Sequence, residues 1–269
     1  MPHATVDGSE LYYELRGSGQ PLLLIQGMSG THLSWGEPFL AELERDFEVL
    51  IYDHRGVGHS SRVDDPFTIE ALADDAAGLM DVVGWESAHV LGISMGGMVA
   101  QELALRHPDK VRTLALGCTY AGGPDGQLTT PEVGQRLMES VNSGDRERAL
   151  RTMYDINVSA AFASDAARFD PFHEMATALP VPVAVIMLQV QAIGGHDTSE
   201  RLSSLDVPTL VIHGDEDQML PVANGRAIAG RVAGARYEEL AGVGHMFWWE
   251  QPQRSAELVR EHALASAAT

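Results

Sequence analysis

The chain reads as an α/β fold: a mostly parallel, eight-stranded sheet flanked by helices, with a helical cap inserted past its middle. Three observations predict this. Short, continuously apolar runs at 21–25, 47–52, 88–93, 111–116 and 207–212 are bounded by turn residues, as strands covered on both faces require. Stretches of helical period alternate with these runs, and glycine-rich loops follow several of them directly. The alternation fails once, over 120–199, where the pattern is helical and no strand of the earlier type is needed. Residues 1–119 and 200–269 are therefore expected to form the core, and 120–199 the cap.

The elements justify themselves in order. Residues 4–16 alternate around Asp7-Gly8, which predicts a hairpin, and Gly17-Ser18-Gly19 turns the chain. The run 21–25 is a central strand feeding Gln26-Gly27-Met28-Ser29-Gly30, and a helix over 33–45 precedes the strand at 47–52. The polar loop 53–61 contains Asp53 and Arg55, expected to pair with each other or with backbone, and two structural histidines, His54 and His59. A helix over 69–83 carries Asp74, Asp75 and Asp81, expected on its solvated side.

The strand 88–93 turns into a helix at 95–106 that closes at His107-Pro108. After the strand 111–116, Cys118 follows apolar neighbours and is expected to be a core thiol. Helices are predicted over 133–141, 146–158, 160–169 and 183–193. The last strands are 207–212 and 236–240, and a helix over 252–263 runs into an Ala/Ser-rich tail, 263–269, expected to fray.

Composition narrows the function. A formal charge of −20 disfavours nucleic acid and anionic membrane surfaces, both of which would be repelled. One cysteine excludes an intrachain disulfide framework and a cysteine-rich metal site. No apolar run reaches the length of a membrane span, and no basic-then-apolar leader is evident, so a cytoplasmic location is the expectation.

The chemistry is concentrated at Gly92-Ile93-Ser94-Met95-Gly96. A strand that reverses into a helix within one residue forces that residue into strained backbone and needs very small flanking residues. Ser94 is then pushed out at a helix N-terminus, the geometry of a nucleophile elbow. A serine hydroxyl needs a histidine base and an orienting acid. His245, in Gly242-Val243-Gly244-His245 after the last strand, is the candidate base; Asp215 and Asp217, after the 207–212 strand, are the candidate acids. The loop after the 111–116 strand offers no carboxylate. An oxyanion would be held by the backbone N–H of Met95, and by that of Met28 in the loop after the 21–25 strand.

These stretches, with Trp35, Tyr52 to Ser60 and Pro208 to Asp217, resemble the α/β-hydrolase family over nearly the whole chain. Within it the chain is similar to carboxylesterases, 3-oxoadipate enol-lactonases and enzymes of the aclacinomycin methylesterase type. The resemblance places the acid at Asp217, three residues after Gly214, and leaves Asp215 as a turn residue. It implies no metal and no organic cofactor. Serine at 94 sets the chain apart from haloalkane dehalogenases and epoxide hydrolases, which use aspartate there. Gln26-Gly27 replaces the His-Gly of many relatives.

The expected function is hydrolysis of a small carboxylic ester or lactone through Ser94, His245 and Asp217. C–C bond hydrolysis, perhydrolysis and a non-turnover receptor are the alternatives. Gln26, Trp35, Met219, Met246 and Phe247 are candidate substrate contacts, and the methionines near the loops suggest that part of the substrate is apolar. The cap arginines Arg136, Arg148 and Arg151 are read as a solvated face, with a substrate carboxylate as the other possibility.

Overall fold

Eight strands form one sheet in the order β1-β2-β4-β3-β5-β6-β7-β8 in a computed structural model that describes residues 2–265. They are β1 (His3–Val6), β2 (Ser9–Gly17), β3 (Gln20–Ile25), β4 (Phe47–Tyr52), β5 (Ala88–Ile93), β6 (Val111–Gly117), β7 (Thr209–Gly214) and β8 (Arg236–Leu240). The β1–β2 hairpin is antiparallel and adds antiparallel to β4; every other pairing is parallel. All six parallel strands therefore end at the same edge, and the loops after them converge there.

The central strands are apolar on both sides because both faces are covered. One face packs α2 (Ile69–Val82), α3 (Met95–Arg106) and α9 (Ala223–Arg231); the other packs α1 (Glu37–Leu43), α10 (Phe247–Glu250) and α11 (Pro252–Ala265). Leu23, Val90 and Leu114 point into the first core and Leu24, Leu91 and Ala115 into the second, the alternation a strand imposes. The tail expected to fray is helical to Ala265; 266–269 lie outside the described residues.

Two local expectations are corrected. The helix expected over 33–45 is a 3-10 turn, His32–Trp35, and then α1, because Gly36 sits at φ 73° and interrupts the helical backbone. Asp75 is not on a solvated face: it is 1% exposed and receives both Nε and Nη2 of Arg55 at 2.7 and 2.6 Å. Asp53 pairs with backbone, as expected: it accepts the His32 and His59 N–H groups at 2.7 and 2.9 Å and pins two loops together. Asp74 and Asp81 do face outward, against Arg106 and Lys110.

Five helices occupy the interval between β6 and β7: α4 (Pro131–Asn142), α5 (Arg146–Asn157), α6 (Ala160–Ala163), α7 (Phe169–Ala178) and α8 (Val183–Gly194). The helix expected over 160–169 stops early because Asp165 takes the Ala167 N–H with its side chain and starts a new turn. This excursion is bonded to the loops at the strand ends. Met246 N–H donates to Asn157 O at 2.8 Å, and Gln218 Nε2 to Asp155 O at 3.3 Å. Glu250 accepts from both Gly244 N–H (2.8 Å) and Ser159 N–H (2.9 Å). Among the described residues no single helix is long and apolar enough to cross a membrane.

Candidate active site

Ser94 lies between β5 and α3 at φ 53° and ψ −124°, a conformation side chains rarely adopt. The strand and helix that force it there pass too close for any side chain at the flanking positions. A Cβ on Gly92 would lie 2.2 Å from Gly96 O, and one on Gly96 would lie 2.1 Å from Ile25 O. Both obstacles are backbone and cannot swing aside. Gly96→Ala is therefore expected to destabilise the fold by about 3 kcal/mol or more. A urea unfolding midpoint equal to wild type would show that β3 and α3 are not so closely apposed.

Around the serine, two backbone donors are free. The Met95 N–H, first in α3, and the Met28 N–H, in the loop after β3, meet no protein acceptor among the described residues. The loop comes against Ser94: a Cβ on Gly27 would be 3.0 Å from Ser94 Cβ. Free N–H groups at a helix start and on an adjoining loop are what a developing oxyanion requires.

Asp217 and His245 are held on the loops after β7 and β8. His245 Nδ1 and Asp217 Oδ2 are 2.7 Å apart, both residues buried. The carboxylate is fully engaged: Oδ1 accepts the Met219 and Leu220 N–H groups at 2.8 and 2.9 Å, and His213 Nε2 is 3.1 Å from Oδ2. Burial works to raise this carboxyl, but the two histidines outweigh it and hold it at about 2. Burial likewise works against a charged His245, yet the Asp217 charge raises the imidazole well above its ordinary value. Asp215 takes no part in this; it is exposed and caps its turn by accepting the Gly242 N–H at 2.7 Å.

Cys118 was legible as a buried thiol but not for what it touches. It follows β6 at φ 39°, and its thiol interacts electrostatically with the His245 ring and the Ser94 backbone. Burial pushes it up, so it stays a neutral thiol. The Ser94 hydroxyl itself takes part in no hydrogen bond among the described residues.

The remaining candidates divide. Gln26 is buried, with Oε1 accepting the Gly27 N–H at 2.8 Å and Nε2 unpaired. Met28 and Met219 are half-buried on the loops after β3 and β7, and Met246 is buried next to His245 in sequence. Trp35 and Phe247 have no exposed surface: Trp35 stacks on Phe39, and Phe247 lies where a Cβ on Gly117 would meet it at 2.7 Å. Their place is in the packing under the site. Trp35 also backs a cavity of about 300 Å3 between α1, α7 and α10, which none of Ser94, Asp217 and His245 lines. Arg136 and Arg151 both pair with Asp155. No cluster of three or more His, Cys, Asp or Glu among the described residues is placed to hold a metal ion.

Periodicity did not reveal Glu250, His213 or Gln189. Glu250 and Gln189 act across long sequence separations, Gln189 by accepting the Ser29 N–H at 2.9 Å from α8, whereas His213 acts within its own strand-end loop, on Asp217 and Leu220.

Known proteins share this arrangement of chain. A family model described as alpha/beta hydrolase fold matches residues 20–252. The chain is 30% identical over 247 residues to the putative carbamate hydrolase RutD of Azorhizobium caulinodans, an alignment covering 92% of each. The solved enol-lactonase of Burkholderia xenovorans LB400 is similar with a TM-score of 0.85 at 29% identity, over 98% of this chain and 100% of that one. A thermophilic esterase of Thermogutta terrifontis is similar with a TM-score of 0.81 at 26% identity, over 98% of each.

Proposed function

The chain belongs to the alpha/beta hydrolase fold family, and from that premise we propose that it is a serine hydrolase of small carboxylic esters or lactones. The observation that carries the reading is the buried 2.7 Å bond between Asp217 and His245, on the loops beside a strained serine elbow. Asp217 fixes the imidazole so that Nδ1 carries the proton and Nε2 is the basic nitrogen.

In this reading Ser94 Oγ attacks the substrate carbonyl as His245 Nε2 takes its proton. The oxygen becomes an alkoxide held by the Met28 and Met95 N–H groups, and loss of one such donor costs on the order of 3 kcal/mol in the transition state. His245 then protonates the departing alkoxide, leaving an acyl group on Ser94. Water, activated by the same imidazole, releases the acid. Residues 120–199 act as the cap that closes over these loops, and the substrate is a small molecule with an apolar portion that meets Met28, Met219 and Met246.

The relatives act on different bonds by name, so the test is a panel. Purified protein is offered p-nitrophenyl esters of increasing acyl length, γ- and δ-lactones, and an aryl carbamate. Ester or lactone turnover is expected to exceed carbamate turnover, with an acyl adduct on Ser94 detectable by mass after quenching. Carbamate hydrolysis as the dominant activity would overturn the ester assignment, and an acyl adduct anywhere but Ser94 would overturn the mechanism.

A further inference from the structure

Helix α8 contains no charged side chain, and one polar residue on it is completely buried. Gln189 has 0% of its surface exposed, and its amide lies on the loop that supplies Met28. Its orientation is fixed by chemistry. The Ser29 N–H can only donate, so the oxygen of the amide must face it, at 2.9 Å. The NH2 group must then point elsewhere, and it meets no acceptor.

A buried donor without a partner costs stability, whereas leucine or methionine would fill the same space without that cost. The unpaired Nε2 shares its carbon with an oxygen bonded to Ser29, one residue from the free Met28 N–H. Through Ser29 the amide is thus tied to the loop that carries the free Met28 N–H. Ser29 is itself strained, at φ 57°, so its amide is held in place on the loop at some expense.

We infer that Gln189 is a specificity-determining residue: its Nε2 donates to a second oxygen of the substrate, near the scissile carbonyl. The favoured substrates are then esters or lactones that carry an ether, keto, hydroxyl or amide oxygen beside the reacting group. A site that hydrogen-bonds such an oxygen discriminates against the analogue lacking it, because the amide is then left unpaired. The same side chain ties α8 to the Met28 loop through Oε1. This inference rests on the serine hydrolase reading above.

The experiment compares wild type, Gln189→Met and Gln189→Glu on two matched esters, p-nitrophenyl butyrate and p-nitrophenyl methoxyacetate. The second replaces one CH2 by oxygen. Intrinsic reactivity differs between the esters but cancels when the ratio of their kcat/KM values is compared between proteins. The methoxyacetate-to-butyrate ratio is expected to fall about tenfold in Gln189→Met, which loses both amide groups. It is expected to fall as far in Gln189→Glu, which keeps an acceptor for Ser29 but loses the NH2. An unchanged ratio in either folded variant would overturn the inference and leave Gln189 as a purely structural tie. Failure of the parent reading looks different: wild type would hydrolyse neither ester and Ser94 would not be labelled by a fluorophosphonate, removing the basis of both.

Discussion

Ser94→Ala is expected to lower kcat for p-nitrophenyl ester hydrolysis by on the order of 10^5-fold, to the level that oxyanion binding alone sustains. The change removes one oxygen that makes no hydrogen bond among the described residues, so the loss is chemical. Alanine meets the same backbone strain at φ 53° as serine, and the urea unfolding free energy is expected to stay within about 1 kcal/mol of wild type. Fluorophosphonate labelling is expected to vanish with activity. Equal ester rates in the two proteins would remove Ser94 from the mechanism, whatever the elbow's shape.

That expectation was formed largely from the sequence, and the reason is local. An elbow is a covalent neighbourhood: Gly92, Ser94 and Gly96 lie within five residues, and the need for small residues where β5, α3 and β3 crowd together is written at those positions. The same holds for the post-strand loops carrying Met28, Asp217 and His245, because a parallel sheet brings the ends of its strands to one edge regardless of what lies between them. The strands and the alternation that arranges them were legible for a similar reason, since continuous apolarity follows from burial on both faces.

What the sequence hid was pairing across distance. Asp75 sits among acids on an amphipathic helix, and only the folded position of Arg55 draws it inward. Cys118 has the neighbours of a core residue and is one, yet its thiol also interacts electrostatically with His245. Glu250 is the same case: nothing near it in sequence announces that it will bond Gly244 and Ser159 together and so tie the histidine loop to the excursion after α5. Trp35 and Phe247 erred in the opposite direction. Large side chains close in sequence to site loops suggest contact with substrate, but alternation within short elements sends such side chains beneath the loop as readily as above it.

Asp217→Asn is expected to cost about 10^4-fold in kcat at neutral pH and to move the acid limb of the pH profile downward. The direction follows from the charges. In the proposed mechanism His245 must be neutral at Nε2, so activity in wild type is expected to fall as pH falls through the histidine pKa. Burial works to lower that pKa, and the Asp217 carboxylate, 2.7 Å from Nδ1, is the first of the groups that raise it above the ordinary 6.5, with Cys118 adding to it. The wild-type limb is accordingly expected on the alkaline side of 6.5. The acid itself, held at about 2, stays ionised throughout the measurable range and contributes no limb of its own. Asparagine keeps the shape and removes the charge. The imidazolium then loses its counter-ion, burial prevails, and the limb drops below that of wild type. The amide can also present NH2 to Nδ1, which leaves the proton on Nε2, the nitrogen that must accept one from serine; this is where the rate goes. His213 remains against the new side chain and keeps it in place, so the loss is not one of folding. A profile of kcat/KM from pH 5 to pH 9 on both proteins, with p-nitrophenyl butyrate, reads both effects. A limb that does not move would mean that His245 is not the titrating base, and undiminished activity would return the acid's role to another residue.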